Sequence, residues 1–343
     1  MRAVKLYGPG DLRLEEIEKP TPGPGEVLVQ VKAVGICASD VHWYLDGRIG
    51  DTVLSGPLIL GHEFAGVIAE VGPSVTNVKP GDRVAVEPAI PCYKCDICAE
   101  GNFNICPSVK FCGTPPTDGA FREYMAWSAR LVEKVPDSMS MGEAAMLEPL
   151  AIGVYAADIA GDIRGKTVGV LGVGAVGLSI LQAAKAAGCG ETYVTDLIPN
   201  RLEIARRLGA DQTIDASDSK VVDVVKKATG GRELDIVFEA AGQNDAVRQA
   251  TEMVRPGGLV VVGGIPDDDI MCVSASIVRR KGITIRLLRR SNETLHRSIQ
   301  LVRDGKADVK PYITHRFPLE RLKEAFETAR DRKDITLRVM VEI

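Results

Sequence analysis

Thr167-Val-Gly-Val-Leu-Gly-Val-Gly-Ala-Val-Gly177 is the stretch that decides the fold. An apolar run leads into glycines at 172, 174 and 177, and a helical pattern follows. Gly172 allows a tight turn, Gly174 lets backbone approach a diphosphate, and Gly177 lets the helix pack on the sheet. The diphosphate then meets a helix N-terminus, where unpaired N–H groups and the dipole favour negative charge. Asp196 lies 19 residues past Gly177 and ends the next predicted strand. An acid there accepts from a ribose 2′-hydroxyl and repels a 2′-phosphate, which predicts NAD rather than NADP. Arg201, on the following helix, either reads the other way or flanks the adenosine.

Working outward, strands and helices alternate. The strand candidates are Thr167–Leu171, Thr192–Thr195, Gln212–Ile214, Leu234–Glu239, Leu259–Val262 and Ile283–Leu288, with helical patterns such as Pro199–Leu208 and Asn244–Val254 between them. Six such strands predict an α/β fold with a doubly wound parallel sheet. Residues 1 to about 155 read differently. Glu26-Val-Leu-Val-Gln-Val-Lys-Ala-Val alternates as a strand, and Pro-Gly turns stand at 22–25 and 80–81. Helices near Glu293–Asp304 and Leu319–Arg330 and a strand over Thr336–Glu342 close the chain. That tail is expected to return to the first domain, making the domains 1–155 completed by 290–343, and 156–289.

Two domains suit 343 residues, and 45% hydrophobic residues suffice to bury both cores. A net charge of −4 and a pI near 5.7 argue against nucleic acid or an anionic membrane as partner. The opening Met-Arg-Ala-Val-Lys-Leu lacks the apolar core of a signal peptide. The most apolar stretch, Val168–Ala187, carries four glycines and reads as strand, turn and helix rather than a membrane span. Clustered cysteines without a secretion signal favour metal over disulfides and a reducing cytoplasm.

Cys92, Cys95, Cys98 and Cys106 fit a closed tetrahedral zinc of structural role, although cysteine count alone also admits an iron–sulfur cluster. Cys37, His62 and Glu63 form a second set. Adjacent His62 and Glu63 can face one metal only off regular structure, and Glu148 either binds directly or holds the metal's water. Three protein ligands leave a position for water or substrate, the mark of a catalytic zinc. Ser39 and His42, just past Cys37, are placed to relay a hydroxyl proton. Zinc together with a dinucleotide implies metal-assisted hydride transfer. Cys112, Cys189 and Cys272 read as small core residues, His296 and His315 as structural or surface residues, and Arg279-Arg280-Lys281 as a solvated face or an edge of the cofactor domain, not a nucleic-acid site.

The chain resembles the zinc-dependent medium-chain dehydrogenases, and among them the sorbitol (polyol) dehydrogenase branch. The likeness rests on Gly8-Pro-Gly-Asp-Leu-Arg-Leu-Glu15, Gly35-Ile-Cys-Ala-Ser-Asp-Val-His42, Gly47-Arg-Ile-Gly-Asp51, Gly61-His-Glu63, Phe111-Cys-Gly-Thr-Pro-Pro-Thr-Asp-Gly119, Glu148-Pro-Leu150, Val309-Lys-Pro and Thr314-His-Arg-Phe-Pro-Leu319. It implies a GroES-like catalytic domain beside a Rossmann domain, with the active site in the cleft between them. By position it implies catalytic zinc on Cys37, His62 and Glu63, and Glu148 at the zinc water and substrate hydroxyls. Ser39 and His42 would serve proton transfer. Gly172, Gly174, Val176, Gly177, Asp196, Arg201, Val262, Gly263, Gly264, Leu288 and Arg289 would meet the cofactor. Trp43, Phe111, Glu148, Arg289 and Arg290 would face substrate.

The sequence departs from the pattern in places. Leu288-Arg289-Arg290 stands where a Phe-Arg-Tyr run is usual, and Trp43 stands where tyrosine is common. The four-cysteine lobe is a bacterial rather than an animal feature of that branch. The expected activity is NAD-dependent oxidation of a polyol secondary alcohol to a ketose, with two zinc ions per chain and a dimer or tetramer by family likeness. Oxidation of the L-threonine 3-dehydrogenase kind is the first alternative. It would be favoured by Thr in place of Ser39, and Gly47–Asp51 argues against it. A sugar-acid or sugar-phosphate substrate is suggested by Arg290. A non-catalytic zinc and nucleotide sensor is disfavoured by the open metal set.

Overall fold

The computed structural model describes residues 1–217, 220–266, 270–331 and 336–343. Two compact units result, Met1–Glu148 with Val309–Ile343, and Pro149–Asp308.

In the first unit the strand Glu26–Gly35 is the axis of a seven-stranded sheet. It pairs antiparallel with Glu63–Val71, with Tyr124–Ser128 and, near its end, with Arg338–Glu342. The alternation read from sequence holds only in part, because Val27, Leu28 and Val29 are all fully buried. A strand this central is covered on both faces, so it loses the half-buried period. Register shifts at Leu28/Val29 and Val31/Ala33 mark bulges in the pairing with Glu63–Val71. The tail does return here: Ile313–Pro318 runs parallel to Arg338–Glu342 at the sheet's end. The helix Leu322–Asp331 buries Leu322, Ala325 and Phe326. Phe326 meets Tyr44 and Phe121 at ring separations of 5.0 and 5.8 Å, within the core of this unit.

The second unit is a six-stranded, all-parallel sheet in the order Gln212–Asp215, Thr192–Asp196, Val168–Leu171, Leu234–Glu239, Val254–Val262, Thr284–Leu287. Numbered along the chain this is 3-2-1-4-5-6, the doubly wound Rossmann order, whose strand order reverses between Val168–Leu171 and Leu234–Glu239. One strand starts earlier than the expected Leu259. Val254 is already extended and pairs Leu234, because Pro256 cannot continue the preceding helix.

The two units divide at Glu148/Pro149 and Asp308/Val309, where the sequence placed the divisions at 155/156 and 289/290. The helix Leu147–Ala160 packs Val154 and Ala157 against Ala183 and Leu301. Thr294 Oγ1 donates to the Ala151 carbonyl at 2.6 Å. Apolar packing and this buried bond therefore hold 149–155 and 290–308 with the parallel sheet.

Candidate metal centre and nucleotide-binding loop

Gly35 ends the central strand opposite Glu63, and Cys37 follows two residues later as the N-cap of the helix Ala38–Asp46. His62 lies just before the strand Glu63–Val71, so the pair straddles the start of regular structure as the chemistry required. Ligand atoms of Cys37, His62 and Glu63 lie within 4.8 Å of one another. An ideal Cβ on Gly35 would fall 2.4 Å from Glu63 Oε2, so only glycine leaves room for that carboxylate.

Asp40 organises the ligands, and the sequence reading passed over it. It is fully buried. Its Oδ2 accepts the Cys37 N–H at 2.9 Å and its Oδ1 accepts the Gly61 N–H at 3.2 Å. Oδ1 also lies 3.5 Å from His62 Nδ1, which leaves Nε2 for a metal. Burial works against a charged His62, but Asp40 and then Cys37 outweigh it and hold the imidazole pKa well above the ordinary value. The signal in the sequence was Cys37-x-x-Asp40, an N-cap with an acid three residues on.

Arg338 was the second residue missed. It is buried, its Nη1 donates to the Ile36 carbonyl at 3.0 Å, and its Nη2 lies 2.9 Å from Glu63 Oε1. Neither Glu63 oxygen accepts a well-aligned hydrogen bond, and Glu148 Oε2 accepts none either. Glu148 is 4% exposed, and burial first, then Glu63 and Glu87, push its pKa to about 8 against the pull of His62. A buried imidazole, a cysteine and carboxylates with orphaned oxygens fit a divalent cation with N, S and O preference.

Other expected residues are distributed around this centre. The Phe111 ring packs 5.1 Å from the His62 ring. Ser39 and His42 lie one helical turn apart, and His42 Nδ1 is 3.7 Å from Asp46. Trp43 is 2% exposed within the hydrophobic core of its unit, on the inward face of the same helix.

Cys92, Cys95, Cys98 and Cys106 converge, with Sγ separations of 4.0 Å for Cys92–Cys98 and 3.9 Å for Cys95–Cys106. Four sulfurs about 2.3 Å from a tetrahedral zinc would stand about 3.8 Å apart. The N–H of Lys94, foremost among several donors, draws the Cys92 thiol down to about 6. Cys112 is buried and donates to the Gly61 carbonyl at 3.2 Å, and Cys189 is half-buried. Cys272 is exposed, contrary to the core reading. Of the two readings of the Arg279-Arg280-Lys281 run, Lys281 suits the domain edge rather than a solvated face. It is tied to Glu233 and to the carbonyls of Glu252 and Val254, closing the end of the helix Asn244–Met253.

In the second unit the three glycines of the loop differ in what surrounds them. Gly172 has φ +84 and lies against Ala241. Gly177 could carry no Cβ, which would meet the Gly172 carbonyl oxygen at 1.9 Å. Gly174 faces open space and caps the helix Ala175–Ala186. Asp196 ends its strand with Oδ2 accepting the Val173 N–H at 2.8 Å and Oδ1 accepting the Ile198 N–H at 2.9 Å. Two oxygens keep acceptor capacity beyond these bonds. Arg201 Nη1 lies 3.8 Å from Asp196. Val176 is half-buried on the helix's first turn. Val262 ends its strand opposite Glu239, and Gly263 and Gly264 follow. The Leu288 N–H donates to the Val262 carbonyl at 2.8 Å. Arg289 is exposed and Arg290 has φ +56.

The chain matches the alcohol dehydrogenase GroES-like domain over residues 23–137 and the zinc-binding dehydrogenase domain over residues 175–304. It belongs to the zinc-dependent medium-chain dehydrogenases. It is 40% identical to a sorbitol dehydrogenase of Bacillus subtilis across 99% of this chain and 97% of the relative. An Escherichia coli oxidoreductase of unknown specificity superposes with a TM-score of 0.95 at 35% identity, covering 100% and 99% of the two chains. An E. coli alcohol dehydrogenase solved with NADH superposes at 0.91 and 29% identity, again covering 100% and 99%. The chain is therefore an oxidoreductase of the alcohol dehydrogenase kind. No helix of the described residues is long and apolar enough to cross a membrane.

Proposed function

We propose that this enzyme oxidises a secondary hydroxyl of a sugar alcohol to a ketone, using NAD and a catalytic zinc, with a second zinc as structural cross-link. The observation that carries the reading is the convergence of half-buried Cys37 with buried His62 and Glu63, whose carboxylate oxygens accept no well-aligned hydrogen bond. When bound, the metal supplies Lewis acidity toward a substrate hydroxyl and the nicotinamide supplies a hydride acceptor. Cys37, His62 and Glu63 hold the metal, and Asp40 and Arg338 fix two of them. Glu148 orients the substrate hydroxyl, Phe111 shields the His62 face from water, and Ser39 passes the hydroxyl proton to His42 and solvent. The glycine loop holds the dinucleotide diphosphate and Asp196 its ribose; Arg201, Val262, Leu288 and Arg289 flank it. The balance is one alcohol and one NAD⁺ giving one ketone, one NADH and one proton. Relatives named as sorbitol dehydrogenases support the polyol class.

A second reading, a polyol carrying a carboxylate or phosphate, has one observation in its favour. Arg290 follows Arg289 and adopts a left-handed φ of 56°, a conformation disfavoured by about 1 kcal/mol outside glycine. Self-association is supported by the strand Thr284–Leu287, which ends the parallel sheet and exposes 65% of Leu287.

NADH absorbance over a panel of neutral polyols and their acid and phosphate analogues tests the reading. Turnover of neutral polyols is expected. Reaction only with anionic analogues selects the second reading, and no NAD-dependent oxidation of any member rejects both.

A further inference from the structure

Glu239 ends the fourth strand of the doubly wound sheet and is fully buried. In register it lies between Leu171, just before the glycine loop, and Val262, just before Gly263-Gly264. It thus stands where the strand order reverses, the place at which such sheets bind ligands. Its carboxylate turns toward the loops beyond the sheet. Oε1 accepts the N–H groups of Ala241 at 2.8 Å and Gly242 at 2.7 Å, and Oε2 accepts the Gly264 N–H at 3.2 Å. Its backbone carbonyl takes the Gly263 N–H at 2.8 Å.

The two turns it ties are packed too closely for larger residues. A Cβ on Gly264 would fall 2.2 Å from the Gly242 nitrogen and 2.6 Å from Glu239 Oε2. The Ala241 turn is in turn the wall behind the glycine loop, since a Cβ on Gly172 would fall 2.7 Å from Ala241 Cα. One carboxylate therefore links the loops following three adjacent strands. Burial raises its pKa while the Gly242, Ala241 and Gly264 amides oppose that rise, so the N–H bonds offset the desolvation.

We propose that Glu239 is a positioning residue for the dinucleotide: its carboxylate sets the Ala241–Gly242 and Gly263–Gly264 turns and, through Ala241, the glycine loop. The inference rests on the proposed binding of NAD at that loop. Three N–H donors converging on one side chain demand an acceptor on both of its oxygens. Glutamine has the same shape but presents an NH₂ to one of the turns, placing donor against donor.

The test is NADH affinity by fluorescence titration of zinc-loaded protein. Glu239→Gln is expected to weaken NADH binding by on the order of tenfold or more, the scale of a lost charge-assisted bond. The loss is expected in KM for NAD rather than in kcat, with zinc content at the wild-type level. Glu239→Asp keeps the charge on a shorter arm and is expected to recover part of the loss. NADH affinity of Glu239→Gln within twofold of wild type, or Glu239→Asp binding worse than Glu239→Gln, overturns the proposal. Should Glu239→Gln not fold, Glu239→Asp with wild-type affinity overturns it. Gly174→Val separates the two readings, because its side chain enters the open space before the helix. If wild type binds NADH and Gly174→Val does not, the glycine-loop reading stands whatever Glu239 does. If wild type binds neither NADH nor NADPH, that underlying reading fails first.

Discussion

Arg338 Nη2 lies 2.9 Å from Glu63 Oε1, and both side chains are buried. The last strand of the chain thus delivers a cation beneath a carboxylate set in the first half. Removing one member of such a pair leaves an uncompensated buried charge and costs about 3–5 kcal/mol. Arg338→Met is expected to lower the thermal midpoint of the first unit and reduce bound zinc. A midpoint within a degree or two of wild type would show that Glu63 does not depend on this partner.

Asp40 makes three contacts to two candidate ligand segments, Cys37 and Gly61-His62, through one side chain. Asp40→Asn keeps the shape and loses the charge that orients His62. Partners of this kind change metal affinity by about 10–100-fold when altered. Competition with a chromophoric chelator should show the catalytic zinc released first, the cysteine-bound zinc unchanged.

Two zinc ions with separate roles are expected. Cys95→Ser should lower stability and remove one metal per chain, while His62→Ala should abolish turnover and leave the fold intact by circular dichroism. Metal analysis giving a single zinc in fully loaded wild-type protein would contradict this division.

Asp196 accepts two backbone N–H groups at the edge of the nucleotide loop. Replacing it by serine is expected to narrow the preference for NAD over NADP, read as the ratio of kcat/KM values. A native enzyme that prefers NADP would place the ribose elsewhere.

Asp235 ties the starts of two neighbouring strands. It accepts from the N–H and Oγ1 of Thr167, both at 2.9 Å, and from Arg255 Nε at 2.6 Å. Burial raises its pKa, but Arg255, Thr167 and Arg232 outweigh it and hold the carboxyl at about 2. A depressed folded pKa stabilises above the unfolded value of about 3.9 and is lost as pH falls from there toward 2. The contribution is on the order of 1–2 kcal/mol. Urea midpoints at pH 7 and pH 3 should converge between wild type and Asp235→Asn as pH falls; a constant gap would exclude this linkage.

The doubly wound sheet was legible because each cue is local. Gly172, Gly174 and Gly177 specify a turn, an approach and a packing distance within six positions, and apolar runs of strand length recur between helical patterns. The cysteine lobe was legible for the same reason: four thiols within fifteen residues have little freedom beyond one shared centre. His62 and Glu63 were legible as candidate ligands through their chemistry, and with Cys37 they converge within 4.8 Å.

Long-range closure was not written in any window. Arg338 has the look of an outlier in an apolar strand until that strand pairs beside Gly35 and brings its guanidinium to Glu63. Trp43 lies in the core of its unit, a burial that no local pattern around it announces. Glu239 ends an ordinary buried strand, and its use as a clasp exists only once three strand ends lie side by side. Local spacing determines turns, caps and ligand types, because these depend on backbone geometry over a few residues. Which buried charge meets which partner depends on chain segments hundreds of positions apart, and only folding, by removing water from both at once, makes that choice.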